Sequence, residues 1–214
     1  MSNKFNVRLI SVTPGAEKTI AYCARASSKN QNNTDITKLI QYCIKNKHWS
    51  IFELANMVVE VETSRAISAQ ILRHRSFCFQ EFSQRYAAVD DSGVIIYDAR
   101  RQDQKNRQNS IDDISDQTKT LWRHRQRDNW KRAYEDYEWA LDNGVAKECA
   151  RMVLPLATKT KLYMQGSIRS WMHYIDLRIS NGTQKEHMDI ALAIKELFMD
   201  SLPTIAEAKG WISE

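Results

Sequence analysis

At 214 residues with 43% hydrophobic content, the chain is long enough to bury one sizeable core, and nothing in its length demands a second domain. Its formal net charge of +5 favours an anionic partner, which could be nucleic acid, a nucleotide, a phosphorylated cofactor or a membrane surface. Cys23, Cys43, Cys78 and Cys149 show no CxxC or paired Cys/His spacing, which speaks against a disulfide framework or a zinc site. The opening "MSNKFNVRLISV" has no long apolar run, so a soluble protein in a reducing, cytoplasmic setting is expected.

In chain order, "FNVRLISVT" alternates apolar and polar residues and stops at Pro14-Gly15, a strand followed by a turn. The stretches from Ala16 to Ala26 and from Asp35 to Lys45 space their apolar residues as helices do, with Thr34 or Asp35 available to cap the second. "NMVVEVETS" is strand-like and β-branched, and "SRAISAQILRHR" then opens a helix at a Ser or Thr cap. "GVIIYDA" predicts a strand from Gly93. The polar "RRQDQKNRQNSIDDISDQ", residues 100–117, predicts a surface insertion without catalytic groups. A long helix is expected from Thr118 to Asn143, closed by Gly144, then a short one, "AKECARMVL", ending at Pro155. The remainder reads as a strand "TKTKLYM", a helix "IRSWMHYIDLR" and a last helix around "MDIALAIKELF". These elements predict one mixed α/β domain over residues 1–214.

The triplet Arg-His-Arg occurs twice, in "ILRHRSFCFQEFSQRYA" and in "LWRHRQRDNWKRAYE". The second lies inside the long helix among Arg127, Lys131 and Arg132, a charge density that marks a solvated or partner-facing surface. The first stands at a helix end and runs into Gln80, Glu81, Ser83, Gln84 and Arg85, which offer donors for phosphate oxygens and both donors and acceptors for a base edge. On density alone, a salt-bridged structural cluster fits that segment equally well.

"RHRSFCFQEFS", with seven residues between Arg75 and Ser83, resembles the signature of the flavin-dependent thymidylate synthase family. The resemblance extends upstream through "HWSIFELANMVVEVETSRAISAQILRHR", with His48, Ser50, Glu53 and Gln70, and downstream through "ARMVLPLATKTKLYMQGSIRSWMHYIDLR", with Arg151 and Arg178. It implies a central, mostly antiparallel sheet flanked by helices. It also implies a flavin site built without a Rossmann turn at subunit interfaces of a homotetramer. The implied reaction is reductive methylation of dUMP to dTMP, with methylenetetrahydrofolate as carbon donor and NADPH as reductant of tightly bound FAD. By the same resemblance, dUMP meets Gln70, Arg73, Glu81, Ser83, Gln84, Arg85, Arg151 and Arg178. FAD meets Ser50, Glu53, Arg73, His74, Arg75, Gln80, Glu81, Ser167, Arg169 and His173. Ser167 and His173 stand where the family often has asparagine, Ser50 where it often has threonine, and Gly182 near a frequent histidine position. For His173, a helix-surface or core histidine making one hydrogen bond is the equal alternative.

The chain lacks GxGxxG and P-loop motifs, and none of its cysteines has the Pro-Cys-His context of the ordinary thymidylate synthases. Cys78, between two phenylalanines, reads as a buried, inert thiol. Ser83 has no adjacent His, so it reads as a phosphate donor rather than a nucleophile. The resemblance places Arg178 at the N3 and carbonyl edge of the uracil, where a guanidinium stabilises the anion that loads carbon 5 with electron density; pairing with Asp176 or helix capping is the alternative. The rival functional class is a basic nucleic-acid-binding module on the Arg123 to Arg132 face, with Trp122 and Trp130 as stacking platforms, although core packing fits those tryptophans better.

Overall fold

The computed structural model describes residues 5–91 and 93–212, so the first four residues of the amino-terminal stretch considered above lie outside it. Strand β1 (Asn6–Val12) ends at the expected turn, where Gly15 takes φ +61° and admits helix α1 (Ala16–Ala24). Helix α2 (Thr37–Lys45) begins later than its sequence suggests. Ile36 occupies the cap position without a side-chain bond, because the Asp35 region is held instead by Arg25, whose guanidinium donates to the Asn33 and Asp35 carbonyls. A 3-10 turn at Trp49–Glu53 then leads into β2 (Asn56–Ser64).

Helix α3 (Arg65–Ile71) follows β2 and stops before the first triplet, which lies in the turn beyond it. That turn delivers β3 (Cys78–Glu81), a strand the sequence reading did not anticipate. "GVIIYDA" makes only a single bridge, Val94 to Thr158, rather than a strand. The reason lies in the long helix that follows, where the Gln126 carboxamide takes both Tyr97 backbone groups, N–H at 2.9 Å and C=O at 2.7 Å, in place of a neighbouring strand. Within residues 100–117, β4 (Arg101–Gln102) and β5 (Ser110–Ile111) pair as a small hairpin. Helix α4 (Asp116–Asp142) is capped by Ser115 and ends before Gly144 at φ +78°. The short α5 (Lys147–Ala150), β6 (Lys159–Ser167), α6 (Ile168–Arg178), α7 (Lys185–Ser201) and an unanticipated α8 (Pro203–Ala208) complete the chain.

The main sheet has the order β1-β2-β6-β3 and every neighbouring pair is antiparallel. Alternation puts Met57, Val59 and Val61 of β2 and Leu162 and Met164 of β6 on one face. There they form the core with Trp171, Ile175, Ile194 and Phe198 of the covering helices. The other face carries Arg8, Glu60, Glu62 and Lys161, joined by ion pairs. Gly166 of β6 has no side chain for a reason: a Cβ there would lie 2.5 Å from the Phe77 ring. A second, smaller cluster packs Trp130, Tyr137 and Ala140 of α4 on Val89 and Ala150. Trp130 is therefore a core residue, as expected, whereas Trp122 is 43% exposed. Cys78 is exposed, against expectation, because its side chain alternates away from the face that buries Phe77.

Candidate active site

Two serines start the construction. Ser64 caps α3 by accepting from the Ile67 N–H, and Ser167 caps α6 by accepting from the Ser170 N–H. Because β2 and β6 are antiparallel, Ser64 lies beside Lys159 and Ser167 beside Asn56, so the two helices leave from opposite ends of the sheet. Their carboxyl ends meet. Arg178, the last residue of α6, donates from Nε to Nε2 of His74, just beyond α3, at 2.8 Å. Asp176, the alternative partner, is occupied by Lys209.

His74 packs edge-on against Tyr174, with ring centres 4.8 Å apart. Burial, reinforced by the Arg178 charge, pushes its pKa down to about 4, so it accepts as a neutral imidazole. A neutral acceptor orients the guanidinium without cancelling its charge. Both terminal nitrogens of Arg178 are free of hydrogen bonds among the described residues. Arg73 and Arg75 flank His74, are exposed, and make no ion pair among the described residues. Gln70, at the end of α3, donates to Gln184 at 2.7 Å.

A second group forms at the amino end of α6. Glu53, on the same 3-10 turn as Ser50, accepts from Arg169 at 2.8 Å. The Ser167 hydroxyl, then Arg169, hold the Glu53 carboxyl below its ordinary value against partial burial. His173 sits edge-on to Trp49, with ring centres 5.0 Å apart, and burial followed by the Arg169 charge lowers its pKa. Gln80 is exposed on β3.

A third group lines a cavity of about 220 Å³ with Arg65, Gln84, Arg151, Leu154 and Thr158 on its walls. Arg65 Nε, Gln84 Nε2 and Arg151 Nε are buried there without an acceptor. Three residues of one cavity wall thus each hold a buried, unpaired donor, a costly arrangement that a small side-chain movement toward an anionic or carbonyl-rich ligand would relieve. Arg65 was not singled out by the sequence, which offered no signal beyond its position at the start of a helix. It also explains Glu81, whose oxygens are engaged by Arg65 at 3.1 Å, Ser68 at 2.5 Å and Thr160 at 2.8 Å. Within the chain Glu81 thus braces the wall between α3 and β3. Ser83 and Arg85 open into a neighbouring concavity, where Arg85 pairs with Glu148 at 3.0 Å.

On the rival surface of α4, Arg125, Arg127, Lys131 and Arg132 are exposed, and two members are engaged within the chain. Arg123 pairs with Asp98 at 2.7 Å, and the Trp130 ring nitrogen donates to the Asp91 carbonyl.

Residues 8–204 match the family model described as thymidylate synthase complementing protein. The chain is 54% identical over 195 residues to the flavin-dependent thymidylate synthase of Synechocystis sp. (strain ATCC 27184 / PCC 6803 / Kazusa), covering 91% of this chain and 90% of that one. It is 52% identical over 216 residues to the "probable flavin-dependent thymidylate synthase" of Paramecium bursaria Chlorella virus 1, covering 97% and 100%. Among solved structures, the UMP/dUMP methylase PolB from Streptomyces cacaoi superposes with a TM-score of 0.82 at 24% identity, covering 95% and 93%, and so shares the fold.

Proposed function

This chain belongs to the thymidylate synthase complementing protein family, the flavin-dependent thymidylate synthases, and from that premise we propose that it converts dUMP to dTMP at the meeting point of α3 and α6. The observation that carries the reading is the Arg178 to His74 contact, which joins two sequence blocks 104 positions apart into one charged edge.

The donor set fits FAD. Arg73 and Arg75 are unspent cations on an open surface, and the Ser50, Glu53, Arg169 and His173 group adds hydroxyl, carboxylate and ring contacts beside them. The all-antiparallel sheet offers no crevice of the doubly wound kind, so those side chains must do the holding. Bound flavin supplies the reducing equivalents of the methylation, replenished by NADPH, with methylenetetrahydrofolate as carbon source.

The chain's own residues do the rest. The terminal nitrogens of Arg178 hold the N3 and O4 edge of the uracil and favour its ionised form, which places electron density on carbon 5 where the new carbon bond forms. His74 keeps the guanidinium aimed and stays uncharged while doing so. Gln70 and Arg73 complete the base and sugar side. Arg151 and Gln84, with Ser83 and Arg85 beside them, supply donors for the phosphate. Because these phosphate groups face separate concavities of one protomer, and the flavin residues lie on open surface, a homotetramer with active sites shared between chains accounts for the arrangement best.

The test is direct. The purified protein is expected to be yellow, to release flavin on denaturation, and to form dTMP only when dUMP, methylenetetrahydrofolate and NADPH are all present. Flavin-replete protein that forms no dTMP under those conditions overturns the proposal.

A further inference from the structure

Beside the Arg178 to His74 contact lies a row of polar groups of which Gln70 alone has a part in the steps above. Glu186 receives Arg100 at 2.6 and 2.9 Å, an ion pair in which both side chains are largely buried. Burial opposes the Glu186 charge, yet the Arg100 hydrogen bonds, then Gln184, hold its carboxyl below the ordinary value. Gln184 Nε2 donates to Glu186 Oε2 at 2.9 Å, and Gln70 Nε2 donates to Gln184 Oε1 at 2.7 Å. Gln70 Oε1 lies 3.4 Å from His187 Nδ1, and His187 Nε2 lies 3.0 Å from the Tyr174 hydroxyl.

The direction of every bond in this row follows from one end. An ionised carboxylate can only accept, so Gln184 must turn its NH2 toward Glu186 and its oxygen toward Gln70. Gln70 must then present NH2 to Gln184 and oxygen to His187. That oxygen needs a donor, which fixes the proton of His187 on Nδ1 and leaves Nε2 as acceptor. The Tyr174 hydroxyl completes the row as donor, and burial raises its pKa so that it keeps its proton. His187 is fully buried, and burial, followed by the Arg178 charge, pushes its pKa down to about 3, which suits a neutral ring with one proton. Flipping the Gln70 amide would set donor against donor at His187 and acceptor against acceptor at Gln184.

We propose that His187 is a positioning residue that, with Glu186 and Gln184, locks the Gln70 carboxamide in one orientation, so that its remaining N–H and oxygen lone pair are presented to the pyrimidine in a fixed order. This rests on the assignment of Gln70 to the dUMP site. A locked amide distinguishes a base edge with an acceptor facing the N–H from one with the two groups exchanged. The row therefore acts on base selection as well as on affinity.

The experiment uses the intact, flavin-loaded protein. His187→Asn keeps an N–H at the δ position and loses the acceptor for Tyr174, whereas His187→Phe loses both. Calorimetric titration with dUMP is expected to give an affinity within about threefold of the parent for His187→Asn and about tenfold weaker for His187→Phe, the loss of one directed hydrogen bond. Both variants are expected to melt below the parent, since each leaves Tyr174 without its partner. A purely structural histidine would make affinity follow melting temperature, and equal losses of dUMP affinity in the two variants overturn the proposal. Histidine-selective ¹⁵N NMR of the parent supplies a second arm: His187 is expected to carry its proton on Nδ1, and a proton on Nε2 overturns the proposal whatever the variants do. If the parent binds no dUMP at all, the assigned substrate has failed, and the NMR arm alone then decides the direction of the row.

Discussion

Replacing Arg178 by alanine removes the charge that neutral His74 aims. A unit charge at about 4 Å in a medium of effective dielectric near 20 is worth about 4 kcal/mol. At about 1.4 kcal/mol per pKa unit, that corresponds to about three units on the N3 proton of bound uracil. The ionised fraction of dUMP near neutral pH therefore falls by as much as about a thousandfold in Arg178→Ala. Because the ionised ring matters most on the way to carbon–carbon bond formation, kcat is expected to fall far more than dUMP affinity. Arg178→Lys keeps a charge but loses the planar fork that reaches His74 and the base together, and should lie between the two. The assay pairs single-turnover dTMP formation with difference absorbance of bound dUMP, which in the parent should carry the ultraviolet signature of ionised uracil. Normal turnover in Arg178→Ala, or neutral uracil in the parent complex across the working pH range, refutes the reasoning.

Arg73→Ala and Arg75→Ala are expected to weaken flavin or dUMP binding, whereas Arg123→Ala, which breaks a half-exposed pair with Asp98, and Arg125→Ala should change stability by no more than about 1 kcal/mol and binding hardly at all; flavin and dUMP titrations of the four variants decide this. Mixed oligomers of Arg151→Ala and Arg178→Ala chains should recover part of the lost activity, and no recovery in oligomers shown to be mixed counts against sites shared between subunits. Gly166→Ala must displace the Phe77 ring and should cost about 1–3 kcal/mol, read from urea unfolding; an unchanged midpoint would mean the ring moves freely. His187 binds its proton far more weakly folded than unfolded, so the unfolded chain takes up protons first as pH falls below about 6.5, and stability drops until about pH 3. That single group should remove about 1.5 kcal/mol between pH 6.5 and pH 5, and the drop should shrink by that amount in His187→Asn.

What the sequence disclosed was whatever repeats locally. β2 and β6 carry strand-like runs, α4 and α7 carry helical spacing, and the serine ahead of α3 announces its cap. β3 escaped because four residues between two turns hold too little pattern to separate a strand from a loop. Val94 looked like part of a strand, but the Gln126 side chain answers the Tyr97 backbone, and that depends on α4 arriving from 29 positions away. The three ordered blocks of the family resemblance pointed to Arg178 and His74 separately; only the fold shows that they touch. The Gln70, Gln184 and His187 row was illegible for the same reason, since its members lie 114 and 117 positions apart and none has an unusual neighbour in sequence. Residues 100–117 read as a bare polar insertion because composition alone describes them; Arg100 nevertheless reaches inward to Glu186.

The two helices that meet at His74 and Arg178 start from opposite ends of strands nine residues long. The strands therefore act as a ruler whose length sets where the helix tails fall. Adding one residue to β6 would lengthen it by about 3.3 Å and turn every later side chain to the opposite face, and adding two would restore the faces but carry α6 about 6.6 Å out of reach of the turn after α3. Drift on the outer surfaces of α4 or α7 leaves that measurement untouched. Insertions in this chain should thus be tolerated in the hairpin of residues 100–117 and at helix surfaces, and excluded from the two central strands even where no residue of the site is changed.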